Sequence, residues 1–309
     1  MTGLKARDTE RPSEPRLATP PDRRRQAPPG RRLCEVTDNR KSGGYRLFSA
    51  LDRSGPEPGA GQFYMLAAAD GWGQRDGRPY LPRAFSVAEA RRGDGALRLD
   101  FLVEAVGPGT ERLAGLRPGE GLWVTGPLGQ AFSAPGQLVA DAAGATLVGG
   151  GIGIAPLAIW RRQLGERGVA VRTLLGFRDR EHSGGVEELF GCSEVRLASE
   201  DGHTGHRGYV TDLLAVLLEG DGARGGAVYA CGPPAMLETV RAMCARAGVA
   251  AELAMEAPMA CGFGACFGCA VPLSDGGYMR LCVDGPVVNA ARIETALVPG
   301  SGHSERLPK

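Results

Sequence analysis

Apolar and polar positions alternate in short stretches over the first half of the chain. The stretches start at Cys34 (CEVTDN), Tyr45 (YRLFSALD), Gln62 (QFYMLAA), Arg83 (RAFSVAEA), Leu97 (LRLDFLVEAV) and Gly121 (GLWVTGPLG). A period of two with turn residues between the runs is the pattern of half-buried strands, and several such strands in succession predict an antiparallel barrel ending near Pro135. Beyond that point the period changes. Buried strands are expected from Ala145 (ATLVGGG), Val169 (VAVRTLLGF), Glu194 (EVRLASE), Ala227 (AVYACG) and Val249 (VAAELAM). Amphipathic helices fall between them, from Ile154, Thr211 and Pro234, with Thr211 or Asp212 suited to a helix start. Strands alternating with helices predict a parallel sheet with crossover connections.

The two ends read differently. Residues 1–31 carry six prolines and the run Arg23-Arg24-Arg25 with almost no large apolar side chain, so a disordered arm is expected there and a frayed tail over 296–309. The arm lacks the apolar core of a signal peptide. Net charge is +1 over 309 residues, which gives no electrostatic case for nucleic acid or an acidic membrane. Apolar runs stop well short of a membrane span. Cys34, Cys192, Cys231 and Cys244 are scattered without ligand spacing, as in a cytoplasmic protein with free thiols.

The other four cysteines are not scattered. Cys261, Cys266 and Cys269 follow a C-x4-C-x2-C spacing, and Cys282 follows after twelve intervening residues. That is the plant-type spacing for a 2Fe–2S cluster. Gly262, Gly264 and Gly268 lie between the first three, where backbone must crowd around sulfur. A four-cysteine zinc site is the competing reading, although zinc ribbons use two separated knuckles rather than three ligands in one loop. Phe263 and Phe267 either form an apolar rim beside this loop, suited to an interface, or pack inward.

Further motifs point to phosphate and flat rings. Arg83-Ala84-Phe85-Ser86 offers a guanidinium for a diphosphate, an aromatic face and a hydroxyl. Gly109 and Thr110 open a short helix whose N–H groups suit phosphate. The glycines of GGGIGIAP, from Gly149, lie where a strand feeds a helix, which is where dinucleotides bind in open α/β sheets, although the G-x-G-x-x-G fingerprint is incomplete. Cys231, in CGPPAM, ends a later strand on the same side, where its thiol either flanks a ring or merely packs. Taken singly, each has an ordinary structural explanation: a surface arginine, a capped turn, a tight turn, a buried thiol. No acid–base pair or activated nucleophile stands out. His182, His203, His206 and His303 read as loop residues, and no catalytic side chain is assigned.

In this order, RAFS, GT, GGGIGIAP, CGPPAM and the cysteine block ending LCVDGPV resemble the ferredoxin–NADP reductase superfamily, over about residues 33–290. The cysteine block resembles one branch, the electron-transfer subunits of NAD-dependent dihydroorotate dehydrogenase. The resemblance implies an FAD-binding barrel (32–137), an NAD-binding α/β domain (138–250) and a 2Fe–2S module (251–295). It implies FAD contacts from Arg83, Ala84, Phe85, Ser86, Leu102, Val103, Glu104, Gly109 and Thr110, with Glu104 departing from the basic or neutral residue expected. Gly149, Gly151, Gly153, Cys231, Gly232 and Met236 would line the NAD site, and Cys261, Cys266, Cys269 and Cys282 would hold the cluster. The implied partner is an FMN-bearing catalytic subunit that oxidises dihydroorotate in pyrimidine synthesis, in a heterotetramer of two copies of each.

Three alternatives stay open at this level. A reductase subunit of a hydrogenase, sulfide dehydrogenase or bifurcating transhydrogenase shares these modules. A redox-sensing or zinc-stabilised binding module needs no catalysis, against which the intact cofactor motifs argue. NADP competes with NAD, because Arg178 suits a 2′-phosphate and Asp179 repels one.

Overall fold

A computed structural model describes residues 30–73, 80–142, 144–191, 195–220 and 225–298. Most of the expected arm (residues 1–29), most of the tail and Cys192 lie outside these residues.

Six strands close into a barrel: β1 (Arg32–Ser42), β2 (Tyr45–Asp52), β3 (Phe63–Ala68), β4 (Arg83–Gly93), β5 (Ala96–Val103) and β6 (Gly121–Leu128), with helix α1 (Pro108–Ala114) between the last two. The strand order is β1-β2-β5-β4-β3-β6, antiparallel throughout. Strand β6 alternates fully, with Leu122, Val124 and Leu128 buried, as a strand with one core face must. Strand β3 is buried at every position. Its Tyr64 and Leu66 belong to the barrel's core, whereas Phe63 and Met65 pack in a second core with Cys269, Leu281 and Cys282. The cysteine module therefore roofs the outer face of β3.

A short helix α2 (Pro135–Leu138) leads into the second half, which comprises β7 (Gly144–Gly150), α3 (Ala155–Glu166), β8 (Val171–Phe177), α4 (Val186–Phe190), β9 (Val195–Ser199), β10 (His206–Arg207), α5 (Val210–Glu219), β11 (Gly226–Cys231), α6 (Pro234–Ala247) and β12 (Ala251–Ala254). The module that follows has a hairpin, β13 (Ala270–Pro272) and β14 (Tyr278–Arg280), and a last strand β15 (Val287–Asn289). The large sheet runs β10-β9-β8-β7-β11-β12-β15 and is parallel except for β15, which adds antiparallel to β12. Strand β7 is buried along its whole length, as the centre of a helix-covered parallel sheet should be. Pro156 sits in the first turn of α3, where its missing N–H costs nothing. Asp212 of α5 accepts the N–H of Tyr209 at 2.8 Å and caps that helix.

Barrel and sheet share one core. Phe132, Trp160 and Tyr229 meet at the junction with ring centroids 5.5–6.0 Å apart. Beside them, Arg162 of α3 grips Glu89 of β4 through Nε at 3.0 Å. Among the described residues no helix is long and apolar enough to cross a membrane.

Candidate cofactor sites

The cysteine loop gathers its thiols in two pairs. Cys261 and Cys266 are hydrogen-bond partners, and Cys269 accepts the backbone N–H of Cys282 at 3.4 Å. Burial would raise the Cys261 thiol, but the N–H groups of Phe263, Cys266 and Ala265, with the Cys266 side chain, outweigh it and bring it down to about 6. Burial first, and then Cys269, push the Cys282 thiol up to about 12. Gly262 and Gly264 have φ of +78° and +88°, a conformation that L side chains rarely adopt. Among the described residues no three Cys, His, Asp or Glu side chains converge on one ion position. Two thiolates for each of two irons is what the plant-type spacing calls for.

The loop lies against the barrel. A methyl added at Gly262 would come within 2.5 Å of Met65 Cγ on β3. Met65 pairs in register with Ala84 of β4, and Phe63 with Ser86. The cysteine loop and the Arg83–Ser86 stretch are thus separated by one strand.

Arg83 itself reaches α1. Its guanidinium covers Gly109, where a Cβ would meet Nε at 2.7 Å and Nη2 at 2.9 Å. Two motifs about 25 residues apart in sequence therefore form one cationic corner at a helix start. Arg83 Nη1 donates to Leu81 O at 2.6 Å, and the Trp72 ring lies 5.9 Å from the guanidinium carbon. Trp72 was not among the residues the motifs picked out, since a lone indole between glycines carries no signal. Among the described residues its buried Nε1 has no partner, so it can donate to a ligand beside Arg83. The Thr110 hydroxyl accepts the N–H of Val106 at 2.9 Å and that of Gly107 at 3.1 Å, so it locks the turn before α1. Ala84 is exposed, Phe85 and Ser86 are half-buried, and Leu102 and Val103 bury their side chains, which leaves backbone atoms for any ligand.

The glycine turn after β7 interlocks with the end of β11. A Cβ on Gly153 would lie 2.5 Å from Cys231 O and 2.6 Å from Gly232 Cα. Met236 closes the other side, its sulfur 2.5 Å from where a Cβ on Gly150 would be. Gly149 packs under Leu157 and Leu175, while Gly151 takes φ +53° at the turn. Burial first, and then Glu256, push the Cys231 thiol up, so it stays protonated.

Sequence comparison decides what this arrangement belongs to. Residues 256–294 match the iron–sulfur cluster binding domain of dihydroorotate dehydrogenase B. A dihydroorotate dehydrogenase B (NAD(+)) electron transfer subunit from Caldanaerobacter subterraneus subsp. tengcongensis is 30% identical over 84% of this chain and 97% of its own length. Its counterpart in Bacillus caldolyticus is 38% identical over 70% and 80%. The chain belongs to the family of dihydroorotate dehydrogenase B electron transfer subunits.

Solved structures support the same fold for this family member. A chain from the NADH-dependent reduced ferredoxin–NADP oxidoreductase superposes with a TM-score of 0.71 at 26% identity, covering 85% of this chain and 90% of that one. The ferredoxin reductase of carbazole 1,9a-dioxygenase gives 0.58 at 23%, covering 71% and 66%, a likeness of fold.

One expectation needs correction, that the histidines are plain loop residues. His182 is not a plain loop residue: its Nδ1 lies 2.6 Å from Asp179 Oδ1 and its Nε2 3.5 Å from Glu104 Oε1. His206 likewise lies 3.2 Å from Asp212 Oδ2. Glu104 turns out to face Arg178, at 3.8 Å, as well as His182, both from the turn after β8. Phe263 and Phe267 are 51% and 63% exposed, which realises the apolar rim, and Tyr278 of the β14 hairpin strand is exposed too, at 77%.

Proposed function

We propose that this chain carries electrons from an FMN-bearing catalytic subunit that oxidises dihydroorotate, and delivers them to NAD+, in a complex with two copies of each subunit. The observation that carries the reading is the adjacency of the cysteine loop and the Arg83–Ser86 strand across β3. When bound, the 2Fe–2S cluster supplies one-electron transfer, FAD joins one- to two-electron chemistry, and NAD+ accepts a hydride.

The residues of the chain do the holding. Cys261, Cys266, Cys269 and Cys282 ligate the cluster. Arg83 and the start of α1 neutralise the flavin diphosphate, and Phe85, Ser86 and the backbone of Leu102 and Val103 frame the flavin. The turn from Gly149 to Gly153, with Cys231, Gly232 and Met236, holds the dinucleotide diphosphate where the strand feeds the helix. Cys231 stays a neutral thiol and so offers packing rather than nucleophilic attack. Phe263, Phe267 and Tyr278 suit the surface that meets the partner. Arg280 stacks 5.1 Å from the Phe267 ring and donates to Gly264 O at 2.8 Å, fixing the rim against the loop. The described cysteines are free, in keeping with a cytoplasmic location.

The test is reconstitution. Alone, the loaded chain should oxidise NADH with an artificial acceptor and leave dihydroorotate untouched. Mixed with the FMN subunit of the same organism it should support NAD+ reduction by dihydroorotate, with a complex mass matching two of each chain. Cys266→Ser should abolish the coupled reaction and spare most NADH–dye activity. Coupling to a hydrogenase or sulfide-oxidising partner instead would overturn the choice of partner.

A further inference from the structure

We propose that Glu104 is a specificity-determining residue that keeps the nucleotide site selective for NAD over NADP by cancelling the charge of Arg178. The proposal rests on the reading of the glycine turn as a dinucleotide site. In sheets of this kind the residues just past the second strand of the nucleotide fold read the ribose 2′ position, an acid favouring the hydroxyl and an arginine the phosphate. Here that strand is β8, which lies beside β7 with Gly150 opposite Gly176, so Arg178 and Asp179 emerge on the same edge as the glycine turn. The sequence therefore offers both an NADP-type and an NAD-type side chain at one place.

The tertiary structure resolves that conflict with a residue from the barrel. Glu104, just past the end of β5, places Oε1 3.8 Å from Arg178 Nη2 and 3.5 Å from His182 Nε2. Asp179 takes the other side, its Oδ2 3.3 Å from Arg178 Nε. The guanidinium also contacts the His182 ring, through Nε at 3.2 Å and through Nη2 at Nε2. Asp179 is fixed in turn, accepting the backbone N–H of His182 at 2.9 Å. Arg178 is thus flanked by two carboxylates, one from each half of the molecule. The cluster borders the glycine turn through Tyr45, whose ring meets His182 edge-on at 5.8 Å and whose hydroxyl lies 3.8 Å from where a Cβ on Gly151 would be. A 2′-phosphate entering here would meet the negative field of Glu104 and Asp179 and find the Arg178 guanidinium already engaged.

The experiment compares adenosine 2′,5′-bisphosphate with 5′-AMP on the FAD-loaded protein by calorimetry, for wild type, Glu104→Gln, Arg178→Ala and the double variant. The wild type should favour 5′-AMP. Glu104→Gln should raise the affinity for the bisphosphate relative to AMP by about two- to fivefold, the range of a partly exposed ion pair. Adding Arg178→Ala should cut that gain to the part that comes from lost repulsion alone, because the rest acts through the released guanidinium. A parallel change in affinity for both nucleotides would mark Glu104 as a structural tie and overturn the proposal, as would an unchanged ratio. Failure of the wild type to bind AMP at all would overturn the nucleotide-site reading, and this proposal with it.

Discussion

Gly109→Ala tests the corner that joins Arg83 to α1. The added methyl would lie 2.7–2.9 Å from three atoms of the Arg83 guanidinium, closer than real Cβ contacts come. What it meets is the far end of a flexible side chain, so the guanidinium should swing away while the backbone stays. Alanine suits a helix at least as well as glycine, so the fold should tolerate the change. The loss falls on the ligand instead. A hydrogen bond to a charged group contributes about 1.5–3 kcal/mol, which corresponds to a roughly ten- to hundredfold weaker hold on FAD. Arg83→Ala should cost a similar amount. The two should not add: if Gly109→Ala acts by evicting Arg83, then in the Arg83→Ala background it should cost no more than about 0.5 kcal/mol, the scatter expected of uncoupled changes. The assay is titration of the flavin-stripped protein with FAD, followed by flavin fluorescence, with thermal melts as a control. Full additivity, or wild-type affinity in Gly109→Ala, would refute the idea that these residues share one diphosphate.

Anaerobically purified protein should carry about two irons and two sulfides per chain, and Cys266→Ser should bleach the visible cluster absorbance while FAD remains; stoichiometric zinc without iron would contradict this. Gly153→Ala forces a methyl to 2.5 Å from Cys231 O, a backbone atom that cannot step aside, so it should destabilise by about 1–3 kcal/mol and cut NADH–dye activity. Glu238 binds Arg241, Thr295 and the N–H of Ala296, and the Arg241 hydrogen bond leads in drawing its carboxyl from 4.5 down to about 2. Its contribution to stability should be complete above about pH 4.5 and fade as pH falls toward 2. Melts of Glu238→Gln should therefore differ from wild type at pH 6 and converge with it at low pH.

Local physics was enough to read much of this chain. The runs at Tyr45, Arg83 and Gly121 are barrel strands, and the Gly121 run alternates along its length because the pleat turns every second side chain into the core. The glycine turn after β7 was legible because backbone crowding against Cys231 tolerates no Cβ. The cysteine spacing was legible because ligands on one short loop are fixed by chain length. Contacts between segments far apart in sequence were not. Strand β15 has only three residues, too few to show a period, and is a strand because β12 offers it an open edge. Met65 under Gly262, Gly109 under Arg83, Trp72 beside Arg83, and Glu104 facing Arg178 are all unions of distant segments. Sequence alone left Arg178 and Asp179 in contradiction over the 2′ position. Only the closing of the barrel against the sheet, which brings the end of β5 to the end of β8, supplies the carboxylate that decides which charge the ligand meets.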